Sequence, residues 1–169
     1  DFCLSRGLGD VYKRQTAKEL GEGALLASLA DDTAEGKSIV EYLRQLHDFV
    51  DPPAGQFEAV AFSAETRLSG IDFQQHRYRK GAVDAVLAFV GMQRLEMPAA
   101  LAREVERIAQ SGGTPLLVCV DKRLLGVIHL KDVVKPGIRE RFAELRKLGI
   151  RTVMAVSYTH LRAHETGRN

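Results

Sequence analysis

Two cysteines, Cys3 and Cys119, are all the chain contains. They are too few for a disulfide framework and have no neighbours at metal-ligand spacing, so a reducing compartment is the default expectation. Nowhere does an apolar run approach the about 20 residues that a membrane-spanning helix needs, and no charged-then-apolar leader with a small-residue cleavage site opens the chain. The reading is therefore a soluble chain with no membrane segment. Charge of one sign is not in excess either. The 24 Lys and Arg against 22 Asp and Glu leave a net charge of +2, which argues against a nucleic-acid partner. Internal repeats and low-complexity tracts are absent. What remains is ordinary: 45% hydrophobic and 27% charged residues over 169 positions, enough for one domain with a core, or one domain and part of another.

The two ends differ from the middle. "DFCLSRGLGDVYKRQ" (1–15) and "SYTHLRAHETGRN" (157–169) follow neither the strand nor the helix period. Both read as peptide foreign to the gene, such as translated adapter DNA, and are set aside for fold reasoning. Within the middle, "TAKELGEGALLASLADD" carries an apolar stripe of Leu25, Leu26 and Leu29, and "DDTAEGKSIVEYLRQLHDFV" puts Ile39, Leu43, Leu46 and Val50 on one helical face. The pair predicts a helical hairpin, ended by Pro52, Pro53 and Gly55.

A β region follows. "FEAVAFSA", "RLSGIDF" and "HRYRKG" are short and partly alternating, with tight connections that favour antiparallel pairing. Two helices come next, "AVDAVLAFV" and "PAALAREVERIAQS", the second with Pro98 in its first turn and Gly112-Gly113 after its end. "TPLLVCVDKRLLGVIHLKD" reads as a hairpin. The segment "KPGIRERFAELRKLGIRTVMAV" then changes texture. It predicts a helix with Ile138, Phe142 and Leu145 inward and a buried strand over 150–156, the helix-then-strand half of a parallel unit. The fold class expected is α+β: an antiparallel sheet flanked by helical hairpins, followed by a partial α/β, Rossmann-like segment, with the junction near Lys131 to Lys135.

Chemistry points to one region. A strand ending in Lys80-Gly81 would deliver an ammonium to the sheet edge, and the missing Cβ of Gly81 would let a flat ligand or phosphate approach the backbone. Phe62, at the end of a neighbouring strand, offers a face on which a purine could stack, an interaction of about 1–3 kcal/mol per base. Ser69 and Asp84 would supply polar rim contacts, and Asp31 and Glu35 acceptors for an exocyclic amine. Each has a plainer reading. Phe62 would be core, Lys80 a solvated edge charge, Gly81 a turn, Asp84 a first-turn acid and Asp31-Asp32-Thr33 a helix cap. Elsewhere, His160 and His164 sit at i, i+4 without a third ligand, "GLG" at Gly7 to Gly9 lacks a preceding strand, and His47, His76 and His129 are isolated. No metal site and no nucleophilic triad is expected.

Five stretches taken together and in order carry a resemblance: "LASLADDTAEGKSIV", "AFSAETRLSGI", "RKGAVD", "GGTPLLV" and "GVIHLKDVVKPGIRERFAELRKLGIRTVM". They resemble the nucleotide-binding domain and early phosphorylation domain of the Kdp-type potassium-transporting P-type ATPase, its B subunit. The resemblance covers Thr16 to Val156. It implies a nucleotide-binding domain over 16–131 and a partial phosphorylation domain over 132–156. It also implies ATP as ligand, with Mg2+ in the parent enzyme. Phe62 matches the adenine-stacking aromatic, Ser69 the serine of an "RMSG"-like turn, Lys80 and Gly81 the "KG" pair of the pocket, and Asp84 the acid beyond it. Asp31 and Glu35 match acids of an "ADETPEG"-like loop. Asp132 and Lys135 fall where these enzymes place an acid and a base near the phosphate end of ATP. Implied partners are the other domains and subunits of a potassium pump, and the implied location is the cytoplasmic side of an inner-membrane protein.

Departures set the expected activity. Ala82 stands where the family commonly has a serine after "KG". The "DKTGT" motif that carries the phosphorylated aspartate, and the later "TGDN" element, do not occur in the chain. Without that carboxylate nucleophile, covalent phosphoryl transfer has no starting point. The expectation is a chain that binds ATP and does not hydrolyse it. A stand-alone ligand-sensing or protein-interaction module, and an intact small hydrolase, are the readings left beside it.

Overall fold

The computed structural model describes residues 2–5, 13–46, 49, 51–53, 55–131 and 137–151. Its elements run β1 (Phe2–Ser5), α1 (Lys13–Leu26), α2 (Ala34–Leu46), β2 (Phe57–Val60), β3 (Leu68–Phe73), β4 (His76–Ala82), α3 (Val83–Val90), a 3-10 turn (Arg94–Glu96), α4 (Ala99–Gln110), β5 (Thr114–Val120), β6 (Arg123–Leu130) and α5 (Ile138–Lys147). The chain divides into two compact units, residues 1–132 and 133–169.

The first unit is built on an antiparallel sheet in the order β1-β6-β5-β4-β3-β2, the α+β class expected. Strand alternation sorts its side chains to two faces. On one, Leu117, Cys119 and Val127 pack with Val83, Val86, Leu87 of α3 and Leu101, Val105, Ile108 of α4. On the other, Val118, Leu125 and Ile128 pack with Leu20, Ala24 and Leu25 of α1 and Ile39 and Leu43 of α2. Burying each such aliphatic side chain stabilises by about 1.5–3 kcal/mol. Both helical pairs are amphipathic, so each closes one face of the sheet.

Several boundaries differ from the sequence reading. α1 begins at Lys13 and Phe2–Ser5 pairs with β6, so parts of the aperiodic first 15 residues form a helix start and a strand. α2 ends at Leu46, which is exposed, while Val50 lies outside the described residues. β2 stops at Val60, leaving Phe62 in the segment that follows. β4 runs one residue past Gly81, to Ala82, so Gly81 lies within the strand.

In the second unit α5 is described with the turn after it. Phe142, expected inward, is 42% exposed, and Leu148 and Ile150 are exposed as well. The strand expected over 150–156 falls outside the described residues beyond Arg151.

Candidate functional site

Antiparallel pairing puts Ser69 of β3 directly opposite Lys80 of β4, and Lys80 opposite Val118 of β5. Val118 belongs to the α1–α2 face, so Ser69 and Lys80 point there too. Both are buried, Lys80 at 3% exposure. An ammonium beside aliphatic neighbours needs a counter-charge. It comes from Asp31, in the loop between α1 and α2. Lys80 Nζ donates to Asp31 Oδ2 and, at 2.9 Å, to Ser69 Oγ; Ser69 Oγ lies 3.2 Å from the same carboxylate oxygen and 3.3 Å from the Ala27 carbonyl.

The loop is shaped to bring that carboxylate in. Asp31 Oδ1 accepts from the Thr33 N–H at 3.1 Å and from the Thr33 hydroxyl at 2.6 Å. The same hydroxyl accepts the Gly36 N–H at 3.1 Å, capping α2. A Cβ on Gly36 would meet both Cγ and the carbonyl oxygen of Asp31 at 2.5 Å, so only glycine lets the first turn of α2 lie against it. Burial pushes the Asp31 carboxyl up, but the hydrogen bonds from Lys80 and Thr33 and the ammonium charge together hold it below its ordinary value. Burial pushes Lys80 down, and the bond and charge of Asp31 and the charge of Glu35 offset this only in part. Glu35, exposed in the first turn of α2, thus acts on Lys80.

Phe62 lies just beyond β2, where Val60 is opposite Gly70, at the same end of the sheet as Ser69 and Lys80. A compact turn follows it: Ser63 Oγ accepts the Glu65 N–H at 3.2 Å and the Ser63 carbonyl accepts the Arg67 N–H at 2.7 Å. The ring is 45% exposed, which removes the reading of Phe62 as core.

Two geometric expectations need correction. Lys80 is not at a sheet edge, because β4 lies inside the sheet between β3 and β5, and its ammonium is enclosed with Asp31 and Ser69. Gly81 points to the opposite face from Lys80, opposite Leu68, and a Cβ there would lie 2.1 Å from the Arg67 carbonyl oxygen. The space that glycine leaves is filled by the chain's own backbone, with Arg67 at φ 54° and its carbonyl accepting the Ala82 N–H at 3.2 Å.

Asp31, Glu35, Ser69 and Lys80 are therefore brought together, with Phe62 at the same sheet end. Asp84 is engaged elsewhere, 3.1 Å from Arg94 on the exposed start of α3. Asp132 and Lys135 lie outside the described residues, as do His47, His160 and His164. An open groove of about 560 Å³ borders the Asp31 loop, lined by Ser28, Asp31, Asp32, Lys37 and Arg44 among others, and neither Phe62 nor Lys80 lines it.

The sequence reading passed over Thr33 as a ligand of Asp31, Gly36 as its clearance, and Arg79. The last is buried, donates to the Ile71 and Tyr78 carbonyls at 3.0 and 2.9 Å, and lies over Phe89 at 5.3 Å. The "DDTAEG" spacing of Thr33 two residues after Asp31 and three before Gly36 was the available signal for the first two.

Comparison with known proteins gives this arrangement a context. No protein-family model matches the chain. It is 67% identical over 148 residues to a Pseudomonas aeruginosa "Potassium-transporting ATPase ATP-binding subunit", covering 88% of this chain and 21% of that protein. A Rhizobium meliloti protein of the same description is 54% identical over 139 residues, covering 82% and 20%. The chain thus spans about one fifth of the length of these relatives. Among solved structures, a zinc-transporting PIB-type ATPase matches with a TM-score of 0.55 at 19% identity, over 88% of this chain and 22% of that one, which bears on fold alone. By sequence and fold, the chain belongs to the P-type ATPases as a homologue of part of the potassium-transporting ATPase ATP-binding subunits.

Proposed function

We propose that residues 16–131 are the ATP-binding domain of a potassium-transporting P-type ATPase and that 132–156 begin its phosphorylation domain. Adenine stacks on Phe62, and the Lys80 ammonium, held by Asp31 and Ser69, supplies positive charge at the same end of the sheet. Glu35 completes the rim. The observation that carries this reading is an aromatic ring left 45% exposed beside strands that bury a lysine. Stacking a purine on that ring would take its apolar face out of water.

The chain by itself binds ATP without hydrolysing it, and in the parent pump the γ-phosphate is carried to an aspartate on a "DKTGT" motif that this sequence does not contain. The domain works on the cytoplasmic side of an inner-membrane pump, against its other domains and subunits. No helix among the described residues is long and apolar enough to cross a membrane. The described residues hold no group of three or more His, Cys, Asp or Glu side chains able to bind a metal. Stacking and one partly neutralised cation give weak affinity, about millimolar to high micromolar.

The enclosed Lys80–Asp31 pair favours a second reading, in which the pair is purely structural and lends no charge to a nucleotide. ATP titration into the whole chain, followed by amide shifts, separates the two. The first expects shifts at Phe62 and the residues around Lys80, lost in Phe62→Ala and kept in Phe62→Tyr; no shift at millimolar ATP leaves the second. Phosphate release from ATP would refute the claim that the chain does not hydrolyse it.

A further inference from the structure

The four hydrogen-bonding directions of the Asp31 carboxylate are divided cleanly. Oδ2 faces Lys80 and Ser69, and among the described residues Oδ1 faces Thr33, through its N–H at 3.1 Å and its hydroxyl at 2.6 Å. The hydroxyl has one proton, and that proton is committed to Asp31. Its lone pair takes the Gly36 N–H at 3.1 Å, in the turn of α2 that carries Glu35. One small side chain therefore joins the start of α2 to the carboxylate that holds the ammonium. With Oδ1 fixed from one side and Oδ2 from the other, the carboxylate cannot swing about its Cβ–Cγ bond without breaking one set. The Cβ clearance at Gly36 keeps the same turn pressed against Asp31.

We propose that Thr33 is a positioning residue of the nucleotide site: its hydroxyl orients Asp31, so fixes where the Lys80 ammonium and Glu35 stand, and thereby sets nucleotide affinity without touching the nucleotide. The affinity part rests on the nucleotide reading above; the orientation part rests on the hydrogen bonds alone. At metal sites, partners that orient a ligand from behind typically change affinity or activity by about 10–100-fold when mutated, and the same logic applies to an oriented carboxylate.

Capping and donating are separable at this position. Thr33→Asp keeps an acceptor for the Gly36 N–H, and so the cap, but at neutral pH it has no side-chain proton to give and sets a like charge beside Asp31. Thr33→Ser keeps both functions. The probes are the Lys80 side-chain ammonium signal in the ligand-free, full-length chain, read by 15N-resolved NMR, and the Kd for ATP. In Thr33→Ser both are expected at native values. In Thr33→Asp a folded chain with a lowered melting temperature is expected, together with a displaced ammonium signal and a Kd raised about tenfold, the loss of roughly one charge-assisted hydrogen bond. A folded Thr33→Asp with an unmoved ammonium signal overturns the proposal, and a moved signal with unchanged Kd overturns its affinity part. Should Thr33→Asp not fold, Thr33→Ala takes its place: native signal and native Kd there overturn the proposal, and their loss with recovery in Thr33→Ser supports it. If the native chain binds no ATP, the nucleotide reading falls and the affinity part with it, while the ammonium signal still decides the orientation part.

Discussion

Asp31 and Lys80, 49 positions apart in sequence, meet as an ion pair with both side chains almost wholly buried. The pair ties the α1–α2 loop to an interior strand of the sheet. In this ligand-free structure the cation assigned to the nucleotide is thus already partnered. A buried pair is weak evidence of stability in itself, but removing one partner leaves the other charge unpaired in a dry place.

Lys80→Met, which strands the carboxylate, is expected to destabilise the first unit by about 3–5 kcal/mol. Asp31→Leu combined with Lys80→Met should recover most of that loss, because no charge is left buried. Denaturant midpoints of the two variants check this. A single variant as stable as the native chain would mean that the pair does not exist in solution.

Gly36→Ala tests the loop geometry through a reversed sign. Alanine in a helix is ordinarily more stable than glycine by about 1 kcal/mol. Here the new methyl would meet Asp31 at 2.5 Å on two atoms, one of them backbone. Overpacking of about 1–3 kcal/mol is expected to outweigh the helical gain. The melting temperature should fall, and the Lys80 ammonium signal should move with it.

His129 on β6 is 3% exposed, its Nε2 has no hydrogen-bond partner among the described residues, and it packs against Gly113. Burial, then the charges of Lys131 and Arg107, push its imidazole below the ordinary histidine value of 6.5. The folded state therefore binds this proton less readily than the unfolded chain does. Its contribution is complete above pH 6.5 and is lost as pH falls from there toward the folded value. Thermal stability should decline on acidification from neutral pH, and ring resonances of His129 should titrate below 6.5. Titration at or above that value would contradict the burial.

How far the sequence carried can be seen residue by residue. Ile39 and Leu43 repeat at helical spacing and are buried, and "TPLLVCVDKRLLGVIHL" became the β5–β6 hairpin across Asp121 and Lys122. Local patterns of this kind are legible because the period itself records which face is covered. The position of Lys80 was not legible. Its burial depends on β4 pairing with β5 across two intervening helices, a long-range choice that no local spacing encodes. Gly81 misled for the same reason. A missing side chain marks a close approach, but whether a ligand or the Arg67 carbonyl makes it is decided by the strand's neighbours. Thr33 was read as a cap, which it is, and its second role appears only once Asp31 is seen against the sheet.

Phe62 is the residue on which the nucleotide reading depends most, and ATP affinity of the full chain compared with Phe62→Ala and Phe62→Tyr tests it most directly. The account predicts weak, saturable binding in the native chain and in Phe62→Tyr, with loss of about 1–3 kcal/mol, or most of the response, in Phe62→Ala. Equal ATP binding in the native chain and Phe62→Ala would contradict it.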